Sequence, residues 1–214
     1  MRVSWPKFRF FAVFGLLAGL LAACYLPNHF VAEIRLGQTG DFALYYKGDL
    51  TWAPLYRDIK QGKLQPDEIE GRIANIQADL ARDPDFKYIR SRGDGVFAVE
   101  YQREGHMEAS EQVTFVRRNA IILMIRSHPD GRITVNANTV KPSDAQVATS
   151  VGLDVQGEFR VTTKALVLRH NATMVQTING YPVYIWKIQN AFSPPPFFEM
   201  RREGAFPSQG QSQP

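Results

Sequence analysis

Cysteine is nearly absent from this 214-residue chain, because Cys24 is the only one. One cysteine excludes an intramolecular disulfide and a zinc site built from several thiolates. The four histidines, at positions 29, 106, 128 and 170, are too far apart in sequence to form a local metal motif. No glycine-rich loop has phosphate-binding spacing, so the sequence predicts no cofactor. A histidine-carboxylate cluster assembled by folding stays open.

The chain also lacks a concentrated basic surface. It has 25 basic and 21 acidic residues, but Arg2, Lys7 and Arg9 precede Cys24 and no acidic residue does. From Cys24 onward, 22 basic residues are therefore balanced by 21 acidic ones. Nucleic-acid binding requires a basic face, so the sequence predicts no nucleic-acid partner.

The N-terminus contains the long apolar run of the chain. Residues 10–23 are uncharged and follow the three basic residues. As a helix, this run would rise about 21 Å at about 1.5 Å per residue, which is short of the ~30 Å hydrocarbon core of a bilayer. A positive start, a short apolar centre and a small-residue end are typical of a secretory signal peptide. Residues 1–23 are therefore predicted to be cleaved.

The end of this segment resembles the lipobox of bacterial lipoproteins. Leu21, Ala22 and Ala23 supply one aliphatic and two small residues before Cys24, whose thiol can take a diacylglyceryl group as a thioether. The resemblance implies cleavage before Cys24, lipidation of its sulfur, and a further acyl chain such as palmitate on the new amino group. Tyr25 stands where enteric bacteria place Asp for inner-membrane retention. By that analogy, the protein belongs to the outer membrane and faces the periplasm.

Period-two alternation of apolar residues dominates the rest of the chain. It predicts a hairpin over residues 29–47, and the run "AIILMI" at 120–125 predicts a central strand covered on both faces. The predicted class is α+β: one domain, 24–192, with a curved, mainly antiparallel sheet. The predicted helices cover residues 52–61, 66–81 and 142–152. The other predicted strands cover 86–92, 96–103, 111–117, 120–127, 132–137, 155–163, 165–175 and 183–189.

Aromatic side chains supply the candidate contact residues. In "NGYPVYIWKI", Tyr184 and Trp186 share one face of a strand, which suits either a core or a lipid-lined groove. Residues 193–214 lack periodicity and are predicted to be disordered. Phe197 and Phe198 follow three prolines in this tail, so they are candidate contacts for a lipid, a protein partner or the domain itself.

The body of the chain resembles the LppM-type bacterial lipoproteins. The residues that carry this resemblance are "HNAT" at 170–173 in one strand, a Trp in the next, and the early hairpin "AEIRL…GDFALYYKGDL" after the lipobox. The resemblance implies a periplasm-facing α+β domain linked to envelope lipids. Only Cys24 is carried over as a functional residue.

Three functional hypotheses follow. The first is a non-catalytic envelope lipoprotein, anchored in the membrane by its lipid, whose domain binds a lipid or a protein. The second is an assembly subunit of an envelope complex that docks through its Phe-bearing tail. The third is an envelope hydrolase whose site has no sequence motif. An apolar cavity would favour the first hypothesis, and a histidine beside a carboxylate in a cleft would favour the third.

Overall fold

The computed structural model describes residues 25–116, 121–138, 140 and 142–203. The predicted signal peptide, the lipobox with Cys24, and residues 204–214 of the predicted tail lie outside the described residues. The described part is an α+β domain, as predicted, and its strands form two sheets rather than one. Within it, no helix has the length and apolar character needed to cross a bilayer.

Seven strands form the large sheet and five form the small sheet. The large sheet contains β1 (Tyr25–Leu36), β2 (Asp41–Trp52), β3 (Phe86–Gly93), β4 (Val96–His106), β8 (Gly157–Thr163), β10 (Met174–Ile178) and β11 (Tyr181–Ile188). The small sheet contains β5 (Gln112–Phe115), β6 (Leu123–Ser127), β7 (Arg132–Ala137), β9 (Leu166–His170) and β12 (Phe197–Arg201).

Neighbouring strands are mainly antiparallel. The order in the large sheet is β10-β11-β8-β1-β2-β4-β3, and the order in the small sheet is β5-β6-β7-β12-β9. Among the described strands, only β1 and β8 pair in parallel. This pair joins the N-terminal hairpin to strands that are more than a hundred residues further along the chain.

The predicted hairpin is confirmed by the β1–β2 pairing. Ile34 lies opposite Leu44 in the register, and both are fully buried on the inner face. Glu33 lies opposite Tyr45 on the other face. The alternation therefore separates a core face from a solvent face, as period-two patterning requires.

Aromatic rings from both sheets meet in the core. The Phe115 ring of the small sheet lies 4.6 Å from the Tyr46 ring and 4.8 Å from the Tyr101 ring of the large sheet, centre to centre. Tyr184 of β11 meets Phe198 of β12 at 5.1 Å. The two sheets thus pack face to face and bury one continuous core.

The three predicted helices are confirmed as α1 (Ala53–Lys60), α2 (Pro66–Leu80) and α3 (Pro142–Ser150). At the start of α2, the Glu68 carboxylate accepts a hydrogen bond from the Gln65 backbone N–H at 3.0 Å. The acidic first turn also complements the helix dipole.

The prediction of disorder from residue 193 is wrong for residues 197–201, which form β12 between β7 and β9. The strand depends on partners distant in sequence. Glu199, only 3 % exposed, accepts hydrogen bonds from Arg132 at 3.1 Å and from Arg169 Nε at 3.0 Å. Local periodicity does not predict this strand, because three prolines precede it and the charged residues of "EMRR" break the apolar alternation.

Two further strand predictions need correction. Residues 165–175 do not form one strand, because β9 belongs to the small sheet and β10 to the large one. The run at 120–125 is not covered on both faces, since β6 begins only at Leu123 and Met124 is half-exposed on the outer face of the small sheet. Ile121 and Ile122 precede the strand and line a cavity instead.

Candidate functional site

The two sheets separate at one end of the domain and enclose a cavity of about 450 Å³, here called the intersheet cavity. Its wall is built where β1 and β6 begin and where β2, β5, β7 and β11 end. The residues that line it are Tyr25, Leu26, Pro27, Phe30, Ala32, Tyr46, Ala53, Phe115, Ile121, Ile122, Leu123, Ala137, Asn138, Val140, Pro142, Val155, Phe159, Ile188, Asn190, Ala191, Phe192, Ser193 and Pro194 to Pro196.

Aromatic rings of the large sheet form one wall of the cavity. The Phe30 ring stacks on the Tyr46 ring at 5.7 Å between centres, and the Phe159 ring lies 5.3 Å from the Trp186 ring. Phe30 lies over Gly157, where an added Cβ would fall 2.4 Å from the ring. Only glycine allows this close approach.

A second wall is the segment of residues 189–196 between β11 and β12, here called the proline segment. It is held by hydrogen bonds rather than by regular structure. The Ala137 backbone N–H donates to the Pro196 carbonyl at 3.0 Å. The Asn171 side-chain amide donates to the Pro195 carbonyl at 2.9 Å.

Asn171 connects this segment to the core. Its side-chain oxygen accepts a bond from Trp186 Nε1 at 2.6 Å and another from the Phe197 backbone N–H at 2.8 Å. One amide therefore fixes three neighbours: the end of the proline segment, the start of β12, and the indole. Asn171 of "HNAT" thus has a structural role, as does Trp186, which lies in β11 rather than in the next strand along the chain.

Among the residues that the structure describes, none that lines the intersheet cavity carries a charged side chain. Its polar groups are the Tyr25 and Tyr46 hydroxyls and the side chains of Asn138, Asn190 and Ser193. The Tyr46 hydroxyl donates to the Asp49 carbonyl at 2.9 Å, so its donor is already used, and burial raises the pKa of this phenol well above its ordinary value. An apolar cavity of this size and polarity suits a hydrocarbon ligand.

The first described residue, Tyr25, is part of the cavity wall. It opens β1, pairs with Trp52 of β2 and packs against the Trp52 ring at 4.7 Å. In the sequence, Tyr25 follows Cys24 directly. The predicted lipidation position is thus one peptide bond from the cavity wall.

A scan against models of protein families and a comparison with curated protein sequences find no match. Among solved structures, the chain is similar to the NMR structure of the folded domain of the Mycobacterium tuberculosis LppM protein. The TM-score is 0.38 and the identity 13 %, over 86 % of this chain and 94 % of that one. A likeness at this level carries no argument about function.

The candidate contact residues Tyr184, Trp186, Phe197 and Phe198 do not line the cavity. Trp186 and Phe198 are 2 % and 0 % exposed. Of the three contacts left open for Phe198, the structure therefore shows the contact with the domain itself, through the Tyr184 ring. Tyr184 is half-buried between the sheets, where burial raises its pKa. Phe197 is half-exposed beneath the Arg169 guanidinium, 5.4 Å from the ring centre. The predicted docking tail is, in residues 197–201, a sheet strand.

Folding does place one histidine directly beside a carboxylate. His106 Nδ1 lies 2.9 Å from Asp41 Oδ1, and the pKa of Asp41 is lowered by that bond and by a bond from the Thr39 hydroxyl. The other side of the His106 ring faces Glu108 at 3.9 Å. The histidine thus lies between two exposed carboxylates, and Asp41 also lines a concavity on the solvent face of the large sheet. In the described contacts, both ring nitrogens of His106 face carboxylates rather than the hydroxyl or thiol that a catalytic triad requires. No cluster of metal ligands occurs within the described ranges.

A larger concavity of about 860 Å³ lies on the solvent face of the large sheet. Its lining includes the Arg35 guanidinium, which is 2.7 Å from Glu33, and Lys164, which lies 4.0 Å above the Tyr181 ring. These cations already have partners, and the lining mixes charged side chains with apolar ones such as Phe42 and Val183. The intersheet cavity, which is less open and has no charged side chain among its described lining residues, is the better candidate site despite its smaller volume.

Sequence reasoning missed the residues that form this site. The sequence signals were ambiguous. Ile121 and Ile122 lie within a predicted strand, Phe192 is the last residue of the predicted domain, and the three prolines lie in the predicted disordered tail. The cavity draws on segments from Tyr25 to Pro196, so no local window contains its pattern.

Proposed function

We propose that this chain is a lipid-anchored protein of the bacterial cell envelope whose domain binds one acyl chain of an envelope lipid, without catalysis. In this proposal Cys24 carries the anchor and the intersheet cavity holds the chain. The observation that carries it is a cavity between two sheets whose described lining is uncharged and includes Tyr25, the residue that follows Cys24. Tyr25, by the analogy above, favours the outer membrane and a domain that faces the periplasm.

The volume limits the ligand. An apolar cavity of about 150 Å³ holds one benzene molecule, and the intersheet cavity, at about 450 Å³, is roughly three times as large. It therefore has room for one long acyl chain rather than two. The headgroup, and any second chain, would stay outside the sheets.

The energetics favour exchange over permanent storage. Burying a chain from water gains about 0.8 kcal/mol per methylene. A chain that comes from a bilayer, however, leaves one apolar environment for another and gains little net hydrophobic free energy. A lipid should therefore enter and leave the cavity reversibly when the domain lies at the membrane, which suits holding or handing over a lipid.

The acyl-chain proposal is tested by native mass spectrometry of the full chain, extracted from membranes in mild detergent. We expect one non-covalent acyl lipid per protein in addition to the covalent anchor. Ala137→Phe adds a ring to the cavity wall and should lower the occupancy several-fold. The matched control is Ala98→Phe, also half-buried and on a strand but away from the cavity. Equal occupancy in the two variants, or an empty parent protein, would refute the proposal.

The anchor is tested separately with Cys24→Ser. A hydroxyl cannot form the thioether, so we expect an unprocessed precursor whose N-terminal peptide carries no diacylglyceryl mass. The parent protein should show the cleaved, acylated N-terminus. Identical processing in the two proteins would rule out the lipoprotein assignment.

A further inference from the structure

Phe192 is an exposed aromatic residue at the cavity. Its side chain is 55 % exposed although it contributes to the lining. A single exposed apolar side chain is ordinary, but Phe192 adjoins Ala191 and Pro194 in the lining of an apolar cavity. A contiguous apolar surface of this kind often marks a place that meets another apolar phase.

The turn that presents Phe192 is fixed by hydrogen bonds. The Ser193 hydroxyl accepts bonds from the Gln189 and Asn190 backbone N–H groups at 3.1 and 3.2 Å. The Asn190 side chain accepts a bond from the Phe192 N–H at 2.9 Å. Phe192 is therefore projected by a preformed turn, so inserting it into another phase would require little additional ordering.

The anchor position and this turn belong to the same cavity. Tyr25 and Phe192 both line it, and the Cα of Cys24 is held within about 3.8 Å of the Cα of Tyr25 by covalent geometry. Because Tyr25 is already paired in β1, no linker separates the domain from residue 24. An anchored Cys24 would hold the Tyr25 end of the domain at the bilayer surface.

Charge supports the same orientation. None of the described residues that line the cavity is charged, so this lining can approach hydrocarbon without desolvating a charge of its own. We propose that the Phe192 turn inserts into the leaflet that holds the Cys24 anchor, so that the intersheet cavity opens toward the membrane. An acyl chain then passes between leaflet and cavity without crossing water. This inference rests on the proposed lipidation of Cys24.

The single cysteine allows a direct test. In the lipidated protein the Cys24 sulfur is a thioether, so Phe192→Cys introduces the only free thiol for a nitroxide label. The labelled full chain is reconstituted in vesicles of uncharged phosphatidylcholine. Collision rates are measured with oxygen, which concentrates in hydrocarbon, and with a water-soluble nickel chelate. Leu166→Cys is the control, because Leu166 is 65 % exposed and lies at the end of β9 remote from Phe197.

We expect an oxygen-to-nickel collision ratio several-fold higher at position 192 than at position 166, unchanged by added salt. A label at 192 that is as accessible to nickel as the control would overturn the orientation. A label shielded from both reagents would also overturn it, because it would indicate a protein partner. Mass spectrometry of the N-terminal peptide distinguishes a failure of the proposed function from a failure of the proposed orientation. If Cys24 carries no lipid, the proposed function is refuted as well. If Cys24 is lipidated and the label at 192 is exposed to water, only the orientation is refuted.

Discussion

Replacing Asn171 by alanine is the sharpest test of how the cavity wall is held. The change removes three side-chain hydrogen bonds, to Trp186, Phe197 and Pro195, at 2.6, 2.8 and 2.9 Å. Each such bond contributes about 0.5–1.5 kcal/mol net, and an unsatisfied buried donor costs about 1–3 kcal/mol.

The indole of Trp186 is 2 % exposed, so its N–H cannot readily recover a bond to water. Asn171 itself is exposed, and water can replace its bonds to the two backbone groups in part. We therefore expect Asn171→Ala to lower the free energy of unfolding by about 2–3 kcal/mol. Asn171→Asp keeps the acceptor oxygen and should cost less.

The measurement is urea unfolding of the chain from residue 24 with Cys24→Ser in every sample, followed by tryptophan fluorescence. The midpoint should fall without a change in slope, which would indicate lost stability rather than an altered native or denatured state. Gln176→Ala is the control, since Gln176 lies on the exposed strand β10 and its side chain donates only to Met174; we expect a change within about 0.5 kcal/mol. If Asn171→Ala is no more destabilising than this control, Asn171 does not hold the wall.

Three other outcomes are expected. Burial would raise the pKa of Glu199, but the hydrogen bonds from Arg169 and Arg132 outweigh it and lower the pKa. The carboxylate should therefore stabilise the fold at pH values above 4.5, its ordinary pKa. This stability should be lost as the pH falls through the lower pKa of the folded state. In a urea series against pH, Glu199→Gln should remove this acid-dependent loss, and an unchanged pH profile would contradict the assignment. Gly157→Ala should push the Phe30 ring into the cavity, cost about 1–3 kcal/mol by overpacking and reduce bound lipid, whereas unchanged occupancy would show that Phe30 does not set the cavity shape. Phe198→Ala should lower the free energy of unfolding by about 3–5 kcal/mol, measured with heat or urea, as expected for a fully buried ring. A decrease below about 1 kcal/mol would indicate that β12 is not packed in the core.

Elements with local periodicity could be predicted from the sequence. Ile34 and Leu44 follow the alternation of a hairpin, and Pro66 with Glu68 marks a helix start, so both elements required only short windows of sequence. Strand β12 could not be found this way, because Glu199 becomes a core-edge residue only when Arg132 and Arg169 arrive from other strands.

The break between β9 and β10 was missed for a related reason. Residues 165–175 have continuous strand character, and what ends β9 is a set of tertiary bonds made by the Asn171 side chain. The intersheet cavity was missed because it also depends on tertiary structure. Its position depends on where two sheets diverge, and the sequence alone did not indicate that there were two.

The central place of β12 has a consequence for biogenesis. This strand joins β7 to β9, so until Phe197–Arg201 has emerged the small sheet consists of a three-stranded piece and a separate strand with open edges. A chain exported from its N-terminus would present those edges during translocation, when unpaired strands are prone to aggregate. The contacts of β12 with β7 and β9 therefore form only after nearly all of the described chain has emerged, and a chaperone that shields β7 and β9 would act before that point.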